Sequence, residues 1–170
     1  SGSQRALLRE LAASKKTGKL LEIGCGDGRL LHLAKESGWE VTGIELSRQA
    51  ADYARKKFGL NIFTGACEEI CGKLEESSFD AVIMWGLIEH LDGPLAALRA
   101  AKKMLRKGGL LVIYTPNANS IFHRMARGIY RLTAQTISFP MERMIIAMHF
   151  LYFTPSALRL SSGADRYKVR

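Results

Sequence analysis

Apolar positions along the first 115 residues switch repeatedly between the period of a helix and the short continuous runs of a buried strand. Leu7, Leu8 and Leu11 recur at helical spacing between Gln4 and Ser14, and Lys15-Lys16-Thr17-Gly18 breaks the pattern, so a leading helix is expected. Lys19 to Ile23 is a short apolar run ending in a glycine cluster; Leu30, Leu31 and Ala34 then resume the helical period as far as Ser37-Gly38. The same order repeats. Glu40 to Ile44 reads as a strand, Ser47 suits a helix N-cap, and Ala50, Ala51, Ala54 and Phe58 continue a helix to Gly59. Leu60 to Phe63, Phe79 to Trp85 and Leu110 to Thr115 read as three further strands. Before the last of these, Pro94 opens a helix through Leu95, Leu98, Ala101 and Leu105 to Gly108-Gly109, with proline at its start and glycine at its end. Strands alternating with helices predict an α/β fold whose mostly parallel sheet is covered on both faces.

Beyond Pro116 the pattern changes. Residues 117–153 hold four of the six methionines, many aromatics and few acids, punctuated by Pro140 and closed by Thr154-Pro155. They read as an inserted helical cap rather than another strand–helix unit, which divides the chain into a core at 4–116, the cap at 117–153, and a C-terminal helix and tail at 154–170. A length of 170 residues with 47% hydrophobic content suits one domain with a real core. No apolar run reaches the roughly 18 residues of a spanning helix, and the first residues lack the apolar stretch of a signal peptide. Cys25, Cys67 and Cys71 are an odd number without paired metal spacing, which suits a reducing compartment and a cytoplasmic protein rather than a disulfide framework.

Charge is unevenly spread. The net value is +9, and from Asn119 onward eight Lys or Arg face only Glu142 and Asp165. Such a bias favours an anionic partner, whether phospholipid, nucleic acid or an acidic protein, although a solvated basic surface is the plainer reading. Met141, Met144, Ile145 and Met148 fall at helical spacing, with Arg124, Arg127, Arg131 and Arg143 in the same segment. That combination suits either a clamp on a hydrophobic or anionic ligand, with peripheral membrane contact as one version, or a cap packed on the sheet.

The sharpest local signal is Leu21-Glu22-Ile23-Gly24-Cys25-Gly26-Asp27-Gly28, a strand running into a turn in which alternate residues lack side chains. Glycine there permits positive φ and lets a ligand approach bare backbone. At the end of the next predicted strand, 21 residues past Gly24, stands Glu45, where a carboxylate can accept hydrogen bonds from both hydroxyls of a ribose. Together these describe an adenosine site. A dinucleotide loop is usually G-x-G-x-x-G with a helix N-terminus aimed at pyrophosphate, whereas this spacing is G-x-G-x-G. Glu22 and Asp27 would repel a pyrophosphate and suit a ligand carrying an ammonium group, which favours an amino-acid nucleoside over NAD.

With LLEIGCGDGRLL, VTGIELS, FDAVIMWGLIEHLDGP and RKGGLLVIYTPN in this order, the chain resembles the class I S-adenosylmethionine-dependent methyltransferases over about Lys19 to Asn117. Within them it is similar to the branch of ubiquinone-biosynthesis O-methyltransferases. The resemblance implies a Rossmann-like, doubly wound sheet and S-adenosylmethionine as cofactor, with S-adenosylhomocysteine as product. It implies that Gly24, Gly26 and Gly28 face the methionine part, with Glu22 and Asp27 nearby for its ammonium, and that Glu45 holds the ribose. Leu46 would then offer an apolar face to adenine, and Ala66 or Cys67, in the segment Gly65 to Glu68, would meet the adenine edge. Many relatives carry Asp where Ala66 stands, so backbone groups or a neighbour such as Cys67 or Glu68 are expected to replace it. Met84 and Trp85 should lie beside the sulfonium end, where a π face is favourable. Asp80 is common in the family and reads as structural.

The same resemblance draws attention to Glu89-His90, where related enzymes can hold a metal. Those relatives often carry a further carboxylate three positions earlier, but Gly86 stands there, and two ligands make a poor site, so no metal is expected. His90 is a candidate general base, weighed against a capping or packing role. Family members commonly end in a helix and an antiparallel strand pair, whereas 159–170 hold at most one weak strand around Tyr167 to Val169, so either that pair is absent or the chain is a truncated one. The expected activity is transfer of a methyl group by in-line displacement to a small-molecule acceptor. A noncatalytic nucleotide-binding or regulatory module and an NAD-dependent oxidoreductase are the alternatives.

Overall fold

The computed structural model describes residues 2–14 and 17–115. The expected cap at 117–153, the tail at 154–170 and the terminal strand pair lie outside them. In chain order the elements are α1 (Gly2–Ser14), β1 (Lys19–Ile23), α2 (Arg29–Glu36), β2 (Glu40–Glu45), α3 (Arg48–Phe58), β3 (Asn61–Thr64), α4 (Cys67–Cys71), β4 (Phe79–Trp85), a 3-10 turn (Ile88–His90), α5 (Pro94–Met104) and β5 (Leu105–Tyr114). The five strands form one sheet in the order β3-β2-β1-β4-β5, and every pair is parallel.

The continuous apolar runs of β1 and β4 are explained by their central positions. Both strands are buried on both faces, so consecutive residues rather than alternate ones must be apolar. On one face, Leu20, Ala81 and Ile83 pack with Leu8 and Leu11 of α1, Leu30, Leu31 and Ala34 of α2, and Ala51 and Ala54 of α3. On the other, Leu21, Ile23, Val82 and Met84 pack with Ile70 of α4 and Ala97, Leu98, Ala101 and Met104 of α5. The doubly wound arrangement expected from the sequence is therefore present.

The edge strand β3 is held differently. Arg55 of α3 donates from Nε and Nη2 to the Ile62 carbonyl, at 3.1 and 2.7 Å, and from Nη2 to Thr64 Oγ1 at 2.7 Å, while Nη1 pairs with Asp52. A cation thus satisfies a carbonyl of the strand that stands at the edge of the described sheet.

At the other end, the helix expected to run to Gly108-Gly109 stops at Met104, and β5 begins at Leu105 rather than Leu110. Leu105 satisfies a helical period and a strand equally well. The sheet decides: Leu105 pairs with Phe79, the register slips between Phe79 and Ala81, and pairing resumes at Leu110. The buried Asp80 sits at this irregularity, accepting from the Lys19 backbone N–H at 2.8 Å and pairing with Arg106. That places it at the amino end of β4, in the structural role expected of it. No described helix is long and apolar enough to cross a membrane.

Candidate functional site

Chain order makes one end of this sheet special. From β1 the chain proceeds outward through β2 to β3, then returns to place β4 on the other side of β1. Successive connections therefore leave the carboxyl ends of β1 and β4 in opposite directions, which opens a crevice there; ligands of open α/β sheets bind in such crevices. Ile23 stands level with both Ile44 and Met84, so the ends of the three strands meet at one height.

The glycine loop leaves β1 at that height. Gly24, Gly26 and Gly28 have φ of 74°, 52° and 76°, and the Gly24 and Cys25 N–H groups both donate to the Ile44 carbonyl, at 2.8 and 3.1 Å. At Gly28 the reason for glycine is packing as well as φ: a Cβ would lie 2.7 Å from Leu60 Cδ1 and 2.8 Å from Ala54 Cβ. At Gly26 it is access, because a Cβ would meet nothing within 4 Å. The loop is packed against the fold at Gly28 and presents bare backbone to open space at Gly26.

Glu45 reaches this loop. Its Oε2 accepts the Gly26 N–H at 2.8 Å and its Oε1 accepts the Ser47 N–H at 2.8 Å, while Ser47 Oγ caps α3 through the Ala50 N–H. The carboxylate that the sequence assigns to a ribose is thus also the tie that spaces the glycine loop from β2. Each oxygen keeps a further lone pair for a ligand.

Glu22 lies on the β1 face covered by α2 and α3, buried at 3% exposure, and its Oε2 has no hydrogen-bond partner. Burial pushes its carboxyl well above the ordinary value of 4.5, and the nearby Asp27 and Glu45 charges push it further, against a smaller opposing contribution from the Leu31 backbone. Because the folded carboxyl keeps its proton to higher pH than the unfolded one, folding stability falls as pH rises above about 4.5, until the folded carboxyl also ionises. Glu22→Gln is therefore expected to flatten the fall of the thermal midpoint as pH rises above about 4.5 in the ligand-free protein. Parallel profiles for the two proteins would remove Glu22 as the source.

Asp27 is half-exposed at the rim and accepts from Arg29 through both its backbone N–H, at 3.2 Å, and Nε, at 3.0 Å. Leu46, next to Glu45, is 73% exposed, an apolar side chain with no cover. Ala66 is the N-cap of α4, and Cys67 is turned into the core with its sulfur 3.9 Å from that of Cys71. The sequence pattern did not reveal α4, since five residues are too few for a period to be read.

Met84 is fully buried in the layer beneath the crevice. Trp85, at the end of β4, stacks on Tyr114 of β5 with centroids 3.9 Å apart and planes 3° from parallel. Tyr114 is half exposed and was not singled out from the sequence; its residue type and strand-end position were the available signal. His90 closes the 3-10 turn that follows β4, its N–H donating to the Leu87 carbonyl at 2.9 Å, and Glu89 beside it is buried. Among the described residues, no three His, Cys, Asp or Glu side chains gather as metal ligands.

Gly26, Glu45 and Leu46 thus lie along the carboxyl ends of β1 and β2, with Glu22 below and Asp27 at the rim. The arrangement combines an open stretch of backbone, a carboxylate with free acceptor capacity, an exposed apolar side chain and negative charge. These are the parts needed to hold a nucleoside that carries a cation.

Comparison with known proteins identifies the family and the fold. Residues 3–160 match the family described as methyltransferase domain. The chain is 33% identical over 105 residues to a ubiquinone biosynthesis O-methyltransferase of Idiomarina loihiensis, covering 59% of this chain and 43% of that protein. It is 29% identical over 117 residues to the protein of the same name from Bordetella avium, covering 66% and 48%. The chain therefore spans less than half the length of these two relatives. In three dimensions it is similar to a SAM-dependent methyltransferase of Archaeoglobus fulgidus, with a TM-score of 0.72 at 22% identity over 94% of this chain and 65% of that one. A SAM-dependent methyltransferase of Thermotoga maritima gives 0.68 at 25% identity, over 94% and 69%.

Proposed function

The chain belongs to the methyltransferase domain family, and from that premise we propose that it binds S-adenosylmethionine at the glycine loop and transfers the methyl group to a small-molecule acceptor. The observation that carries this reading is the tie between Gly26 and Glu45, which holds a bare-backbone turn next to a carboxylate at the carboxyl ends of β1 and β2. An adenosine that bears an amino acid fits it. Glu45 would accept from the ribose hydroxyls, Leu46 would cover one face of the adenine, and the Ala66-Cys67 backbone would meet the adenine edge. Gly24, Gly26 and Gly28 would line the methionine portion. Asp27 at the rim and Glu22 beneath would favour its ammonium, and Trp85 would border the sulfonium end above the fully buried Met84, which was expected there from the sequence but has no exposed surface.

When bound, S-adenosylmethionine supplies a methyl group already activated by its positive sulfur. The protein's task is then to align a nucleophile opposite the leaving sulfur and to exclude water. The rigid ends of β1, β2 and β4 set that alignment, and the Trp85–Tyr114 stack forms a flat apolar wall beside it. A side-chain base is not essential to such a transfer. With a hydroxyl acceptor it contributes about 10² to 10⁴-fold, and His90, half-buried just past β4, is the residue we assign to that proton. Residues 4–116 form the cofactor core in this reading, with 117–153 supplying acceptor contacts.

The names of the O-methyltransferase relatives support a small-molecule acceptor, and a hydroxyl is the first class to test. Calorimetry with S-adenosylmethionine, S-adenosylhomocysteine and NAD is the direct experiment. Binding of the two sulfur nucleosides and not of NAD is expected. NAD binding without either of them would overturn the reading, and cofactor binding without transfer to any of a broad acceptor panel would favour a noncatalytic module.

A further inference from the structure

Cys67 and Cys71 lie four residues apart on one face of α4, with their sulfurs 3.9 Å from each other. The pair is buried, at 8% and 3% exposure. Its surroundings are unequal. Cys71 also lines a groove between α4 and α5 bordered by Glu68, Gly72, Glu76, Ala96, Arg99 and Lys103, and both side chains belong to the core beneath the segment assigned to adenine. We propose that Cys67 and Cys71 form an oxidisable dithiol which a hydroperoxide converts to a disulfide within α4, and that closing this bond weakens the adenine end of the cofactor site. The second half rests on the cofactor reading above; the first does not.

The geometry permits the bond. Residues four apart on a helix have Cα atoms about 6 Å apart, inside the range of disulfides, but their Cβ atoms, about 5 to 6 Å apart, must close to about 4 Å and the sulfurs to about 2 Å. That demands distortion of the helix, and α4 resists little. It has five residues, its N-cap Ala66 supplies no side-chain bond, and Gly72 follows it. The distortion has a route to the site, because the Ile70 N–H donates to the Ala66 carbonyl at 3.0 Å and the Gly65 N–H donates to the Glu45 carbonyl at 3.0 Å. Movement of the first turn of α4 therefore pulls on the carboxyl end of β2, beside the Glu45 carboxylate.

The two sulfurs also divide the chemistry. The hydrogen bond from Cys67 holds the Cys71 thiol below its ordinary value, against burial and the Glu68 charge. That same bond pushes Cys67 upward, with burial and the thiolate of Cys71 adding to it. The groove mouth carries Arg99 and Lys103 together with Glu68 and Glu76, Lys103 pairing with Glu76 at 3.5 Å. Cys71, which lines the groove, is the attacking sulfur. Its sulfur bonds to the terminal oxygen of the hydroperoxide as the O–O bond breaks, and the departing alkoxide takes a proton and leaves as the alcohol. The resulting Cys71 sulfenic acid is attacked by the Cys67 sulfur; the S–S bond forms, the S–O bond breaks, and hydroxide leaves with the Cys67 proton as water. Two thiols are oxidised by two electrons, and the hydroperoxide is reduced to alcohol and water.

The test treats the reduced chain with hydrogen peroxide, blocks remaining thiols with an alkylating reagent and analyses tryptic peptides by mass spectrometry. Lys57 and Lys73 bound one peptide, 58–73, that holds both cysteines and excludes Cys25. The expected product is that peptide lighter by two hydrogens and unalkylated, with Cys25 alkylated as in the untreated protein. Recovery of 58–73 with both cysteines alkylated, or oxidised to sulfinic acid without a cross-link, overturns the proposal. S-adenosylhomocysteine affinity, measured in parallel, is expected to fall at least about tenfold on oxidation and to return with dithiothreitol. A disulfide that leaves this affinity unchanged overturns the control of the site. A reduced chain that binds no S-adenosylhomocysteine overturns the cofactor reading and that control together, while the dithiol is still judged by the peptide mass. Cys71→Ala, with its fold checked by circular dichroism, is expected to bind normally before and after peroxide; equal loss of affinity in this variant would place the oxidation elsewhere and overturn the assignment.

Discussion

Gly28→Ala is expected to lower the stability of the protein by about 2 to 6 kcal/mol, read as a drop in the urea midpoint with little change of slope. Two costs combine. The backbone at Gly28 has φ of 76°, a left-handed conformation that strains any residue with a Cβ by about 1 to 3 kcal/mol. The added methyl would also meet Leu60 Cδ1 at 2.7 Å and Ala54 Cβ at 2.8 Å. Leu60 can turn aside, but Ala54 can yield only if α3 shifts, and overpacking of this kind costs typically 1 to 3 kcal/mol. Since domains are stable by about 5 to 15 kcal/mol, the loss is a large share of the total. Gly26→Ala is the counterpart. Its added methyl meets nothing within 4 Å, so only the backbone term applies to stability, while the methyl occupies the space through which a ligand would reach the loop. Equal destabilisation by both substitutions would show that the Gly28 contacts with Ala54 and Leu60 do not govern the loop.

Glu45→Ala is expected to weaken S-adenosylhomocysteine binding by about 1 to 3 kcal/mol, a factor of roughly 5 to 150, through loss of charge-assisted hydrogen bonds to the ribose. The same carboxylate accepts from the Gly26 and Ser47 N–H groups, so its removal also frees the glycine loop from β2. Calorimetry and unfolding measured together separate the two effects. A ribose ligand predicts a loss of affinity larger than Glu45→Gln produces, because glutamine retains one acceptor oxygen and comparable length. Unchanged affinity in Glu45→Ala would reject the ribose assignment even if stability fell.

Much of this site was legible in one dimension because its parts are local. Gly24, Gly26 and Gly28 follow a buried strand directly, and a turn of alternate glycines announces itself by composition. Glu45 was found by its distance along the chain, since one helix and one strand of ordinary length separate it from the loop. The central strands were legible as uninterrupted apolar runs. What escaped was short or shared. α4 is a single turn. Leu105 fits the period of α5 and the pairing of β5 alike, and only its position opposite Phe79 resolves the choice. Tyr114 looks like the last residue of any strand until Trp85 is found stacked against it.

The amino-acid sequence by itself determined the alternation of strands and helices, the place of the glycine turn and the negative charge around it, because each depends on residues close together in the chain. Tertiary structure decided how those residues serve one another. It buried Glu22 while leaving Asp27 at the rim, gave both oxygens of Glu45 to backbone N–H groups, set Arg106 on Asp80, and turned Cys67 and Cys71 inward as a pair. The reason is physical. Periodicity reports which face of its own element a residue occupies, whereas desolvation, hydrogen bonding and charge coupling depend on what the opposing element places there.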